Sequence, residues 1–103
     1  MNEIEKEYGI TTAQKLNLET AKIEWIELQR FFAQGLIIVV DKELDLIETA
    51  AKFVEDRSDD IQLLIDGSSI RKAETDDAKR WHSENTLFWA VVTVPWVLVQ
   101  ETG

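Results

Sequence analysis

The chain has no cysteine, a single histidine, a single proline and few basic residues, and each shortage removes a class of function. Without cysteine there can be no disulfide, thiol nucleophile or zinc–thiolate centre, and a reducing compartment is permitted. Eleven lysines and arginines stand against twenty aspartates and glutamates, giving a net charge of -9 and a pI near 4.5. Such a surface repels phosphate backbones and anionic membranes, so nucleic acid is not an expected partner. The N-terminal MNEIEKEYGI lacks the basic start and apolar run of a secretory signal. No Pro/Gly/Ser-rich linker, internal repeat or low-complexity stretch interrupts the sequence, so residues 1–103 read as one domain with residues 1–12 loosely ordered.

The composition is that of a folded protein, with 45% hydrophobic and 30% charged residues. The best-defined feature is Leu87 to Val99, LFWAVVTVPWVLV, in which 11 of 13 residues are apolar and none is charged. A membrane-crossing helix needs roughly 20 apolar residues, so this run is too short to span. Its valines and aromatics predict a strand buried on both faces. Pro95, which has no N–H to give to a ladder, should bend it into Phe88–Val94 and Trp96–Gln100. Unbroken alternation places Phe88, Ala90, Val92, Val94 and Trp96 on one face, with Leu87, Trp89, Val91 and Val97 on the other. Two greasy faces on one small domain make a homodimer a reasonable expectation.

Upstream, Leu18, Ala21, Trp25, Leu28 and Phe32 recur at helical spacing, which predicts an amphipathic helix that Gly35 stops and that Thr20 could interrupt near Ile23. Leu36–Val40, LIIVV, is a branched apolar run and predicts a strand. Asp45 and Glu48 form a capping-box pattern for a second helix bearing Leu46, Ile47, Ala50, Ala51 and Val54. Ser58 should cap a third, with Asp59 and Asp60 at its positive end and Ile61, Leu64 and Ile65 buried. Ser68–Glu74 predicts a short strand, and Thr75-Asp76-Asp77 opens a short helix carrying Ala78 and Trp81. The fold class is therefore α+β: three or four helices on a small, mainly antiparallel sheet, in a winged-helix-like order with an inserted short helix. Leu36–Val40 is expected to pair antiparallel with part of the last strand, because parallel neighbours need a crossover.

No motif for catalysis, a metal or a nucleotide emerges. Read as a DNA recognition helix, Ser58–Asp66 fails on charge: Glu55, Asp56, Asp59, Asp60 and Asp66 surround one basic residue, Arg57. Asp41, Glu43 and Asp45 start like a calcium loop, but Leu46 and Lys52 stand where glycine and glutamate are required. Cap and turn roles account for these acids, and no metal or cofactor is assigned. His82 could form an acid–base pair with Asp76 or Asp77 if they met in a pocket, while a surface histidine near a helix end is the plainer reading.

Two surfaces stand out. Trp89 and Trp96, with Asp56, Asp59 and Asp60 on the acidic helix pair, are a candidate protein-interaction surface, since tryptophan anchors interfaces. Arg71, Lys72, Lys79 and Arg80 form the only local basic concentration, which ion pairing with Asp76 and Asp77 explains about as well as anion binding does, and Arg71, Arg80, Trp81 and His82 are a candidate ligand groove.

The segments ETAKIEWIELQRFFAQG (Glu19–Gly35), LDLIETA (Leu44–Ala50), Asp76–Trp81 and FWAVVTVPWVLVQE (Phe88–Glu101) resemble the bacterial family catalogued as domain of unknown function 2288. The resemblance runs from about Leu16 to the end and implies a small bacterial cytoplasmic domain without assigned catalytic residues. The sequence thus reads as a non-enzymatic interaction or regulatory module that binds a protein partner or itself, with a small-molecule site or enzyme at Trp81, His82, Arg71 and Arg80 as the alternative.

Overall fold

A computed structural model describes residues 20–102. It contains β1 (Ala21–Glu24), α1 (Trp25–Ala33), β2 (Ile37–Val40), α2 (Leu46–Val54), α3 (Ser58–Asp66), β3 (Ile70–Lys72), α4 (Thr75–Glu84), β4 (Leu87–Thr93) and β5 (Trp96–Glu101). The strands form one sheet in the order β1-β4-β5-β2-β3, with four helices packed on it in an α+β fold.

β5 is the central strand because the segment Leu87–Val99 is apolar in both registers. The run turns at Val94 and Pro95, and β4 returns as β5 with Ala90 opposite Val99 and Thr93 opposite Trp96. The bend at the proline is as expected, but it reverses the chain, so the alternation restarts. Trp96 therefore shares the face of Thr93 and Val91, not that of Phe88 and Ala90.

Pairing of β2 with β5 is parallel, Ile38 facing Leu98, which corrects the antiparallel expectation. The hairpin fixes the direction of β5. The chain from Asp41 to Pro95 carries three helices and two strands, ample length for the crossover that parallel neighbours require. The other three pairings are antiparallel.

The second correction concerns the first helix. Ala21–Glu24 is an edge strand on β4, and the helix begins only at Trp25. Helix and strand periodicity coincide over so short a span, and the start is fixed by the Glu24 backbone N–H donating to Glu27 Oε2 at 3.2 Å. Leu18 lies outside the described residues, as does the segment 1–12. Trp25 and Leu28 are buried as the stripe predicts.

On one face of the sheet α1 and α4 enclose Trp25, Leu28, Ile37, Trp81, Phe88, Ala90, Val97 and Val99. The aromatic rings interlock: Trp81 meets Phe88 edge-on at 5.0 Å, and Trp25 lies 5.4 Å from Trp81 and 5.6 Å from Phe32. On the other face α2, with α3 beside it, covers Ile38, Val40, Ile70, Val91 and Leu98 through Leu46 and Ala50. These two helix pairs cover both faces of the sheet in large part, and Leu87 and Trp89 remain partly exposed. Gln100 positions α2 by donating from Nε2 to the Asp41 and Leu44 carbonyls, each at 2.8 Å.

Asp45 caps α2, accepting from the Glu48 N–H at 3.0 Å. Ser58 does not cap α3: it is the first helical residue, and Arg57 occupies the cap without a side-chain bond. α3 is also less buried than its pattern suggests. Ile61 and Leu64 pack on the core, but Ile65 is 49% and Leu63 70% exposed. Nine residues lying along the margin of a small sheet can turn only part of their apolar stripe toward it. No described helix is long and apolar enough to cross a membrane.

Candidate functional site

The exposed apolar side of α3 borders a cleft. Its floor is the sheet end formed by Ile38, Ile70, Thr93 and Trp96; Phe53, Ile61 and Ile65 form one wall and the Val94–Pro95 turn the other. The cleft is open to solvent and has a volume of about 590 Å³, within the range of ligand sites. Three local causes create it. The tight β4–β5 turn carries Val94, 88% exposed, beyond the sheet. The α2–α3 turn, with Asp56 in the left-handed region at φ 56°, sets the direction in which α3 leaves α2. β3 is only three residues long, so the sheet ends beneath the helix without filling the gap.

Trp96 is the centrepiece. It packs partly on the core, and the Lys72 ammonium lies 5.3 Å from the centre of its ring, a cation–π contact. Lys72 has no carboxylate partner among the described residues. Thr93, opposite Trp96 in the hairpin, is only 6% exposed, and its hydroxyl makes no hydrogen bond. Buried hydroxyls are ordinarily satisfied, and leaving one unmet costs about 1–3 kcal/mol.

Of the residues expected to form an interaction surface, Trp96 and Asp56 line this cleft together. Asp59 and Asp60 lie on the exposed start of α3, where Asp60 is paired with Arg57 at 2.6 Å. Trp89 sits apart, over the β1 edge, 40% exposed with Lys22 5.0 Å from its ring centre. It borders a smaller depression with Leu46, Ile47, Thr20 and Gln100.

The residues expected to form a ligand groove are not assembled into one cavity. Trp81 is fully buried between Trp25 and Phe88, and His82 is exposed in the last turn of α4. Arg71 is clasped by Asp77 through bonds of 2.6 and 2.9 Å, and Asp77 also accepts the Glu74 N–H at 2.8 Å. Arg80 is held by Glu101 and Glu84. These bonds hold the Asp77 and Glu101 carboxyls below their usual range, chiefly through hydrogen bonds from Arg71 and Arg80 against the opposing pull of burial. The Trp81 N–H adds a weaker pull on Glu101 without reaching regular hydrogen-bond geometry. Carboxylates fixed as ion-pair partners in this way are poorly suited to proton transfer at neutral pH. No group of three or more metal-ligating side chains occurs among the described residues.

Sequence reasoning missed the cleft as a unit, because its members come from α2, α3, β2, β3 and the β4–β5 turn. One signal was available: Val94-Pro95-Trp96 places a turn directly beside an aromatic residue.

The comparisons agree with the resemblance noted above. A solution NMR structure of PA1075 from Pseudomonas aeruginosa is similar at 40% identity and a TM-score of 0.79, covering 86% of this chain and 82% of that one. No curated protein matches. The model of the family described as protein of unknown function (DUF2288) matches residues 11–101, and the chain belongs to that family.

Proposed function

We propose that the protein is a non-enzymatic binding module of the bacterial cytoplasm that holds a segment of a partner protein in the Trp96 cleft. One observation carries this reading: a half-buried tryptophan stands in an open apolar cleft whose walls include the exposed Ile65 and Val94. Exposed apolar clefts on small domains mark binding surfaces, and tryptophan is enriched among residues that dominate binding energy. The cleft is open along the molecular surface, which suits a segment of chain. The cytoplasmic assignment rests on the family resemblance, and the absence of cysteine permits it.

An enzymatic reading has less behind it. His82, Asp76 and Asp77 share a helix, but His82 is exposed and Asp77 is already engaged by Arg71 and Glu74.

The test is selection of a displayed random-peptide library on the wild-type protein, with counter-selection on Trp96→Ala. The reading expects peptides whose affinity falls at least about tenfold on Trp96→Ala, as for an interface anchor. Peptides that bind both forms equally, or no enriched peptide at all, would overturn it.

A further inference from the structure

The Trp96 cleft does not end at its apolar lining. Asp56 and Ser58 line it from the α2–α3 turn, and the same two residues line a neighbouring open hollow with Arg57, Asp59 and Asp60. The two depressions are therefore one continuous surface, apolar over Phe53, Ile61, Ile65 and Trp96 and polar over the start of α3. The polar part is acidic and only partly neutralised. Arg57 is its one cation, bound to Asp60 at 2.6 Å with its other nitrogen 3.8 Å from Glu55. Asp56 and Asp59 are both exposed, and neither side chain makes an ion pair or hydrogen bond among the described residues. An acidic hollow alone would be an ordinary solvated helix start. Here one of its free carboxylates also lines an open apolar cleft.

We infer that the occupant of the Trp96 cleft is a basic segment of the partner protein, an apolar side chain lying against Trp96 and a neighbouring Lys or Arg meeting Asp56 and Asp59. This rests on the proposed function and names the chemistry of its partner. Trp96 and Asp56 line the same cleft of about 590 Å³, so a segment of a few residues that fills it meets both, and no single group has to reach two places. Lys and Arg suit the margin because their apolar stems lie along apolar surface while the charge reaches exposed carboxylates. The cations already in the cleft do not oppose this at the turn: Arg71 is paired with Asp77, and Lys72 stands over the Trp96 ring. A partner cation is disfavoured beside Lys72 and favoured beside Asp56. The net charge of -9 draws a basic partner in and turns acidic ones away. For the same reason a second copy of this chain is the poorer occupant.

Displayed random peptides selected on the wild type should be enriched in sequences that place Lys or Arg within a few residues of a large apolar residue. One such peptide is titrated beside two altered forms, its basic residue changed to Gln or its apolar residue to Ala. The proteins are wild type, the double variant Asp56→Asn/Asp59→Asn, and the matched control Glu43→Gln/Glu48→Gln, which removes two charges at the opposite end of α2. Asparagine accepts the left-handed φ of 56° found at Asp56, and thermal melting verifies that each variant folds. The Asp double variant should bind the parent peptide about fivefold or more weakly, as two exposed ion pairs imply, and the difference should shrink at high salt. The Gln form should bind wild type more weakly by a similar factor and should not distinguish it from the Asp double variant. The control should bind the parent within about twofold of wild type. Enriched peptides that lack a basic residue, undiminished binding of the Gln form, or equal losses in the two double variants overturn the inference and leave the Trp96 reading standing. An Ala form that binds as tightly as the parent also overturns it, since charge alone then holds the peptide. If sedimentation of the protein alone shows a dimer that Trp96→Ala dissociates, the occupant is a second copy and the inference fails in its choice of partner. Enrichment of no peptide overturns both readings.

Discussion

Arg80 grips Glu101 through two hydrogen bonds of 2.9 and 2.6 Å, joining α4 to the end of the central strand across 21 residues of sequence. Glu84, one turn further along α4, adds a third bond to the same guanidinium at 3.2 Å. Glu101 stands opposite Phe88 in the β4–β5 ladder, so the pair ties α4 to the sheet beside the Trp81–Phe88 contact.

Stability should carry an acidic signature from this pair. Glu101 and Asp77 are held below their ordinary values of 4.5 and 3.8. Their contribution is therefore complete above those values and disappears as pH falls through the lower folded-state values. Glu101→Gln should cost about 0.5–1 kcal/mol at pH 7, allowing for the partial exposure of both partners. Urea midpoints of wild type and variant should differ at pH 7 and converge as the pH drops well below 4.5.

Two of the four tryptophans should separate sharply. Trp81→Ala empties a fully buried site between Trp25 and Phe88 and should cost about 3–5 kcal/mol. Trp96→Ala removes a half-buried ring at a cleft and should cost on the order of 1 kcal/mol, with the fold retained. Denaturant titration measures both. Trp96 is thus open to functional mutagenesis, whereas a Trp81 variant mainly reports on folding.

Gly35 ends α1 with φ at 73°, and nothing lies within 4 Å of where a Cβ would stand. Gly35→Ala should therefore lose about 1–2 kcal/mol from backbone conformation alone. Gly35→Asn should lose less, because asparagine tolerates the left-handed region better. The order glycine, asparagine, alanine in thermal midpoint checks this.

Much of the fold was legible because it depends on strong local patterns. LIIVV, the Asp45 cap, Thr75 at the start of α4 and the turn at Pro95 each declare themselves in a few residues. What failed was non-local or too short. Four residues, Ala21–Glu24, satisfy helix and strand spacing equally, and only pairing with β4 makes them a strand. The direction of β2 relative to β5 is set by the β4–β5 hairpin, which the sequence near β2 does not contain. The site was legible in single residues, Trp96 and Asp56, and not as a cleft. Trp81, beside the basic residues in sequence, turns inward, since α4 has to present an apolar residue to Phe88 and its remaining side chains are mostly polar.

The central claim is that partners bind at Trp96. Its most direct test is amide chemical-shift mapping of the isotopically labelled protein with a selected peptide, supported by intermolecular nuclear Overhauser contacts. The account predicts changes concentrated at Phe53–Ile65, Ile70–Lys72 and Thr93–Trp96, with contacts from the peptide to the Trp96 ring. Changes centred on Trp89 and the β1 edge, or on His82 and the outer face of α4, with the Trp96 signals unmoved, would contradict it.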